Sequence, residues 1–438
     1  MTLLIVILCI VLLVLLITVG KTNAFIAFLI TSITAGCFMG IPLDQISKSI
    51  QKGMGDMLGS LVIIIALGAM LGKLVAESGA AQQIASVMMK IFGVKYIQWG
   101  LVCTGFIIGI PLFYNVGFVL MIPLIFSVVY QYKLPAVYIG LPMLASLSVA
   151  HGFLPPHPSP AALVAQFHAD MGKTLLYGIA IAIPAIIIAG PLFARTLKNI
   201  KSEPNLSFSG KNLQNKPLPS SFISFFTSLL PVFLLTGTTL ATTLFSTHDN
   251  LIRLCHFIGD PSMVMLIAVI VATFTLGVNQ HQSIKDTMTI YSDSVKDVAM
   301  VLLIIAGAGA LKQIFMDSGV SNEIAGTLKN IAIHPLILGW LISAFIRVCL
   351  GSATVAGLTT AGIMAPLMGE LHVDPNLMVL AIGVGSLMFS HVNDPGFWMF
   401  KEYFNLSMKD TLRSWSMMES IVAVTGLMGV LIIDFIFY

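Results

Sequence analysis

Four short segments of the sequence combine helix-breaking residues with side chains that bind anions or carry protons. They read GIPLFYNVGF at 109–118, HGFLPPHPSP at 151–160, CLGSATVAGLTT at 349–360 and HVNDPGF at 391–397. Their hydroxyl, amide and imidazole groups suit a small polyhydroxylated anion, and Arg347 adds a cation just before the third segment. A helix that starts at a break also points partial positive charge at its ligand, which favours a carboxylate. The segments therefore predict a site for a hydroxylated organic acid.

The candidate residues come from all four segments. Those predicted to bind the substrate are Tyr114, Asn115, His157, Ser159, Arg347, Ser352, Thr354 and Asn393. Those predicted to carry a coupled proton are His151, His391 and Asp394. Imidazole titrates nearest to physiological pH, and a buried carboxylic acid can exchange a proton. The pattern indicates neither a catalytic residue, nor a metal site, nor a cofactor.

Several of these residues have a structural alternative. His151 or His391 alone could form a hydrogen bond between helices. Arg347 could extend its charged end to the lipid headgroups. Asp394 could cap a helix that begins near Pro395. We interpret the four tryptophans as anchors at the membrane interface: Trp99, Trp340, Trp398 and Trp415.

The elements that must position these residues are membrane helices. The chain has 438 residues, of which 57% are hydrophobic and 9% charged, whereas a soluble domain carries about 25% charged residues. Apolar runs recur throughout, and only helices or closed barrels span a bilayer. The runs are continuous rather than alternating, so they are helices. The sequence predicts an all-α polytopic membrane protein with about eleven to twelve crossings plus broken or re-entrant helices.

A polar linker at 196–220 divides the chain into two predicted halves, 1–195 and 221–438. The linker is rich in Ser, Asn and Pro, which indicates a flexible connection. Its positive charge predicts that it lies in the cytoplasm.

The two halves resemble each other after a shift of 240 residues. The run IIIALGAMLGKLVAESG at 63–79 then aligns with LIIAGAGALKQIFMDSG at 303–319. The same shift pairs His151 with His391 inside similar broken segments. Internal repeats with breaks at corresponding positions are typical of secondary transporters.

Three other classes fit less well. An ATP-driven pump is not indicated, because Phe167 stands where the phosphate loop ending at Gly172-Lys173-Thr174 needs its first glycine. An intramembrane metalloenzyme would have to gather His151, His157 and Asp394 around zinc, and no HExxH motif supports it. A channel would need a continuous polar ring, which the sequence does not suggest. The net charge of +3 without a basic block gives no indication of nucleic-acid binding.

Several motifs, in order along nearly the whole chain, resemble those of the bacterial gluconate permease (GntP) family. They are HGFLPPHPSP, GSATVAG and SHVNDPGFWMFKEYFNLS at 390–407, supported by GAMLGKL at 68–74 and DMGKTLLYG at 170–178. The resemblance implies a multi-pass permease of the bacterial inner membrane that imports gluconate or a related sugar acid by proton symport. It also implies the ion-transporter superfamily fold, with scaffold and transport domains, elevator-type movement and a homodimer.

The resemblance leaves the substrate and the coupling ion open. Members of the family accept gluconate, idonate, fructuronate, glycerate or D-serine, and the overall similarity favours the gluconate–idonate branch. The position of Asn115 is acidic in some gluconate transporters of the family. If a carboxylate there carries the proton, this chain must use another group. We expect proton coupling first and sodium coupling second.

Overall fold

The computed structural model describes residues 2–112, 114–200, 202, 218–244, 249–319, 333–392 and 394–437. Throughout this part of the chain the regular secondary structure is helical, which confirms the predicted all-α class. Most of the predicted linker lies outside the described residues.

The first predicted half contains nine α-helices among its described residues. They are α1 (Thr2–Thr18), α2 (Ala24–Phe38), α3 (Leu43–Glu77), α4 (Ala80–Phe92), α5 (Ile97–Gly109), α6 (Tyr114–Tyr132), α7 (Ala136–Phe153), α8 (Pro158–Phe167) and α9 (Met171–Ile187). Proline often marks a helix start, because its missing N–H and fixed φ suit the first turn. Pro158 opens α8 in this way. Asp170 caps α9 by accepting a hydrogen bond from the N–H of Lys173.

The second predicted half has a similar order of helices in its described part. They are α10 (Ser221–Leu244), α11 (Asp249–Ile258), α12 (Pro261–Ala272), α13 (Ile284–Asp317), α14 (Pro335–Leu350), α15 (Ala353–Met364), α16 (Met368–Leu371), α17 (Pro375–Gly385), α18 (Pro395–Tyr403), α19 (Met408–Thr411) and α20 (Met417–Phe437). Pro395 opens α18 as Pro158 opens α8.

The helix bounds follow the offset seen in the sequence. Helix α3 ends at Glu77 and α13 ends at Asp317, which is 240 residues later. Helix α5 and its counterpart α14 end at Gly109 and Leu350, each directly before a break. This agreement is what an internal repeat would produce, and the division into halves stays a prediction.

Six helical segments of the described chain are long and apolar enough to cross a membrane. Their number becomes seven if α3, which bends by 43° near its middle, counts as one span. Shorter apolar helices, including α5, α14, α15 and α17, surround the breaks. The predicted eleven to twelve crossings would need several of these shorter helices to cross as well.

Helices α3 and α13 form the most extensive helix–helix contact in the described structure. Gly53 and Gly309 lie at their crossing, where a Cβ atom on either glycine would overlap the backbone of the other helix. Small residues of this kind let membrane helices approach closely. Lys73 and Asp297 join the same two helices by an ion pair of 3.0 Å.

Candidate functional site

Each of the four segments singled out in the sequence lies where one helix ends and another begins. The first break separates α5 from α6, the second α7 from α8, the third α14 from α15 and the fourth α17 from α18. Helices α8 and α15, which follow the second and third breaks, pack against each other. Helix α8 also contacts α3, and α15 contacts α13. The paired long helices therefore support the broken ones.

Arg347 and Asp394 form a buried ion pair between α14 and the start of α18. Nη2 of Arg347 donates to Oδ2 of Asp394, and the arginine is only 4% exposed. Arg347 therefore points into the protein rather than to the headgroups. The other carboxylate oxygen of Asp394 accepts from the N–H of Gly396 at 2.8 Å, which caps α18. Capping and charge pairing thus occur together at Asp394.

Ser390 connects this ion pair to the helical turn that directly precedes α20. Its hydroxyl donates to Asp394 and accepts from Nε1 of Trp415 at 2.8 Å. Its carbonyl accepts a hydrogen bond from the hydroxyl of Ser416. Trp415 is only 1% exposed. The prediction that Trp415 anchors the protein at the membrane interface is therefore wrong, because its ring packs inside the protein and its N–H has a buried partner.

An aromatic cluster lies between the first two breaks. The ring centroids of His151 and His157 are 5.0 Å apart, and those of Tyr114 and His151 are 5.8 Å apart. Nε2 of His157 lies 2.5 Å from the carbonyl oxygen of Gly109, so this nitrogen carries the hydrogen that joins the two breaks. Tyr114 is also 6.2 Å from the ring of Trp415, which connects this cluster to the ion pair.

Glu419 is a buried carboxylate that the sequence reasoning did not select. It lies on α20 and is 2% exposed. Its Oε1 accepts a hydrogen bond of 2.6 Å from the hydroxyl of Ser148 on α7. Its electrostatic neighbours include Arg347 and Asp394. A buried carboxylate inside a mainly apolar span is a functional candidate, and this signal was present in the sequence.

The third break supplies hydroxyl groups near α8. Gly351 adopts a left-handed conformation with φ of 73° after α14, and Ser352 then caps α15 by accepting from the N–H of Val355. Ser159 on α8 lies against Gly357 on α15. Within the described part of the chain, the buried hydroxyls of Ser159 and Thr359 have no hydrogen-bond partner.

The side chains of the remaining described candidates form no hydrogen bond with the ion pair, although the carbonyl oxygen of His391 accepts from the N–H of Asp394. Nε2 of His391 lies 2.9 Å from the carbonyl oxygen of Val348 and fastens the fourth break to α14. Thr354 is half-buried in the first turn of α15. Asn393 and the side chain of Asn115 lie outside the described residues.

A narrow and mainly apolar crevice reaches the first two breaks from the side of α3, α10 and α12. Ile110, Pro156 and His157 line it on the side of the breaks, and Pro231 and Met265 line it on the other. The charged residues of the buried cluster are not among its lining residues, so the crevice is separate from the ion pair.

A family model for GntP family permeases matches residues 1–436. The chain belongs to the GntP permease family. The high-affinity gluconate transporter of Escherichia coli (strain K12) is 48% identical to this GntP permease over 437 residues, covering 100% of both chains. The Gnt-II system L-idonate transporter of the same organism is 44% identical over 94% of each chain. A gluconate permease of Bacillus subtilis (strain 168) is 42% identical over 95% of each chain.

Two solved structures share the fold of this GntP permease. The YdaH transporter of Alcanivorax borkumensis has a TM-score of 0.68 at 18% identity and covers 94% of this chain and 97% of its own. MtrF of Neisseria gonorrhoeae has a TM-score of 0.68 at 14% identity and covers 94% of each chain. Membership of the permease family, and not this likeness of fold, makes the chain a membrane transporter rather than an enzyme, and its described part has several apolar helices.

Proposed function

We propose that this permease imports gluconate, or a closely related sugar acid, across the bacterial inner membrane together with protons. The names of its relatives support the substrate class, because proteins 48% and 42% identical to it are called gluconate transporter and gluconate permease. The broken helices and their polar side chains support a site for such a molecule within the membrane.

The observation that carries the proposal is the incomplete hydrogen bonding of the buried Arg347 guanidinium. The guanidinium is buried and pairs with Asp394 through Nη2, while its Nε and Nη1 atoms have no hydrogen-bond partner among the described residues. Buried N–H groups without a partner are costly, at about 1–3 kcal/mol each. A substrate carboxylate offers two oxygens to such a guanidinium, which is the geometry that arginine recognises best.

The hydroxyl groups of the sugar acid would contact polar side chains of the same region. We assign these contacts to Tyr114, His157, Ser159, Ser352 and Thr354, together with the side chains of Asn115 and Asn393. Tyr114 and Ser159 support this assignment, because their buried oxygens have no hydrogen-bond partner within the described residues. A polyhydroxylated ligand would provide partners for both.

Proton coupling follows from the cost of moving charge through a bilayer. The anion alone and the proton alone are each penalised inside the membrane, whereas the two together are nearly neutral. We propose that the proton binds first from the periplasm and that the sugar acid follows. His151, His391 and Asp394 are the proton sites expected from the sequence. Asp394 already accepts hydrogen bonds from Arg347, Ser390 and Gly396, as an ionised carboxylate does.

The loaded site must then become accessible from the other side of the membrane. We propose elevator-type movement, in which the broken helices travel as a transport domain relative to a scaffold, and a homodimer that holds the scaffold in place. The contact between α3 and α13 is a candidate part of the scaffold.

The test is uptake of labelled gluconate into proteoliposomes with an inward proton gradient and no sodium. We expect accumulation that an uncoupler abolishes. Arg347→Gln should abolish it, whereas Arg413→Gln, which changes an exposed arginine, should transport like the wild type. Uptake that occurs only with sodium would mean that sodium, and not the proton, is the coupling ion. No accumulation under either gradient would contradict the proposed substrate.

L-Idonate is the second candidate substrate. A relative named as an L-idonate transporter is 44% identical to this chain, close to the values for the gluconate proteins. Competition of unlabelled idonate with labelled gluconate in the same vesicles compares the two. If idonate inhibits at lower concentration than gluconate itself, idonate becomes the preferred assignment.

A further inference from the structure

We propose that Glu419 is the side chain whose protonation couples proton uptake to binding of the anion. The inference rests on the proposed symport and names the proton site within it. Glu419 was not among the candidates expected from the sequence, and its position in the folded chain is what selects it.

The surroundings of Glu419 do not satisfy an ionised carboxylate. Oε1 accepts from Ser148, but Oε2 has no hydrogen-bond partner among the described residues, and the side chain is 2% exposed. A buried charge is stable only when it is paired and fully hydrogen-bonded. The contrast with Asp394 is direct, because that carboxylate has three donors including a guanidinium. Glu419 is therefore the carboxylate that a proton would relieve.

The charged and titratable groups that face Glu419 come from several helices. Arg347 on α14 and Asp394 before α18 act on it electrostatically, and Tyr114 on α6 lies within range of the same carboxylates. On α7, His151 lies three residues beyond Ser148. The described residues of α17 include no titratable side chain.

Helix α9 also packs against α20, but its titratable groups lie far from Glu419. Tyr177 on α9 stacks on Phe437. Phe437 lies 18 residues beyond Glu419 in the same helix, a distance of about 27 Å along the helix axis. These groups are too distant to decide the protonation of Glu419.

The charge balance of the cluster explains the coupling. Arg347 and Asp394 cancel, so an ionised Glu419 leaves the cluster with one negative charge. A substrate carboxylate at Arg347 would add a second negative charge to the same enclosed space, where like charges repel strongly. When Glu419 takes a proton from the periplasm, its carboxylate becomes a neutral acid and the substrate supplies the negative charge instead.

The same balance describes release. After the anion leaves to the cytoplasm, the O–H bond of Glu419 breaks and the proton passes to water, which restores the carboxylate. Because binding free energies are reciprocal, a proton that strengthens anion binding is itself held more strongly when the anion is present. Arg347 is the shared partner, since it can attract the substrate or the ionised glutamate.

The first test compares Glu419→Gln with Glu402→Gln. The glutamine mimics the protonated acid but cannot release a proton, and Glu402 is an exposed glutamate that pairs only with its neighbour Lys401 among the described residues. In proteoliposomes we expect Glu419→Gln to lose uncoupler-sensitive accumulation by at least about fivefold. Exchange of internal gluconate for external labelled gluconate, without a proton gradient, should remain within about twofold of the wild type because the charge balance of the loaded site is unchanged. Glu402→Gln should match the wild type in both assays.

Three outcomes would overturn the inference. In the first, Glu419→Gln accumulates gluconate as the wild type does. In the second, a folded Glu419→Gln protein loses exchange as well as accumulation, which would make the glutamate a binding or packing residue. In the third, the pH dependence of gluconate binding is the same in Glu419→Gln and the wild type. If the wild type itself shows no proton-driven uptake, the proposed function fails and not the assignment within it.

A second measurement does not depend on folding of the glutamine variant. Gluconate is added to the purified wild-type protein in weakly buffered detergent solution with a pH indicator, near the midpoint of the pH dependence of binding. We expect net proton uptake from solution, and we expect Glu419→Asp to retain it with a displaced pH dependence. Gluconate binding without proton uptake across the pH range of binding would overturn the inference.

Discussion

The two predicted repeat halves place a histidine at the same position of matched breaks, yet the surroundings of these histidines differ. His151 lies in an aromatic cluster with His157 and Tyr114. His391 lies beside the ion pair of Arg347 and Asp394. The first environment contains no full charge among these three side chains when the histidines are neutral, whereas the second contains two opposite charges.

The sequence shift makes the difference explicit. The positions 240 residues before Arg347, Asp394 and Glu419 are Ile107, Leu154 and Ile179. The three charged residues of the buried cluster therefore all align with aliphatic residues of the first half. Breaks occur in both predicted halves, whereas the three charges of the buried cluster, which are expensive inside a bilayer, all lie in the second. We infer that the second half binds the carboxylate of the anion, while the first contributes contacts to its hydroxyl groups.

The largest effect is expected from removing one member of the ion pair. Arg347→Leu should destabilise the protein by about 3–5 kcal/mol, because Asp394 becomes an unpaired buried charge. The double variant with Asp394→Leu should regain much of that stability but not transport gluconate. Thermal unfolding in detergent, followed by uptake, measures both. If the Arg347→Leu protein were as stable as the wild type, the buried ion pair would not be needed for stability, and this difference between the two halves would have no energetic consequence.

The next largest effects are expected at His157 and His391, each of which joins a break to a backbone carbonyl oxygen of another helix. His157→Ala should destabilise by about 1–3 kcal/mol, because the buried carbonyl of Gly109 loses its donor. His391 is half-buried, so His391→Ala should have a smaller effect, about 1 kcal/mol or less. Both are measured by unfolding of the purified variants. If His391→Ala lost more stability than His157→Ala, the histidine of the second half, and not that of the first, would have the larger structural role.

Two serines at helix starts sharpen the comparison further. Ser352 caps α15 with its side chain, so Ser352→Ala should destabilise by about 1 kcal/mol. Ser159→Ala on α8 is the variant to compare with it. The buried Ser159 hydroxyl has no hydrogen-bond partner in the described part of the structure, so its removal breaks no hydrogen bond there. We expect no loss of stability there and weaker binding of gluconate, measured by isothermal calorimetry. Unchanged gluconate affinity in Ser159→Ala would remove this serine from the proposed site.

The smallest effect is expected where the halves meet at the surface. Lys73 and Asp297 join α3 to α13, with side chains 28% and 53% exposed. Asp297→Asn should change stability by at most about 1 kcal/mol, because solvent screens the pair. Asp293→Asn, which removes a pair within α13 alone, is the matched control. A loss several times larger for Asp297→Asn would mean that the ion pair, and not close packing, holds the two helices together.

The sequence was sufficient to predict where the helices break. Proline at 155, 156 and 158 and glycine at 351 have local effects on the backbone that do not depend on the rest of the fold. Arg347 could also be selected, because a cation in an apolar run needs a partner. Its partner could not be predicted, since 47 residues separate it from Asp394.

The contacts that depend on packing could not be predicted. Ser148, Ser390 and Ser416 are ordinary residues for a membrane helix, and only the folded chain shows which of them meet a carboxylate or an indole. The burial of Trp415 could not be predicted for the same reason, because tryptophans near span ends are most often interfacial. Glu419 differs from these. Its charge lies within a mainly apolar span, so the sequence alone is sufficient to select it.

The crossing of Gly53 and Gly309 has a consequence for mutational scans. Because no side chain separates the two backbones there, even alanine at either position would push the helices apart. Such a substitution would lower the amount of permease in the cell, because a chain whose helices cannot pack is degraded. Scores at positions 53 and 309 would therefore report protein abundance, whereas Glu419→Gln, which we expect to fold, would lower the gluconate accumulated by each molecule.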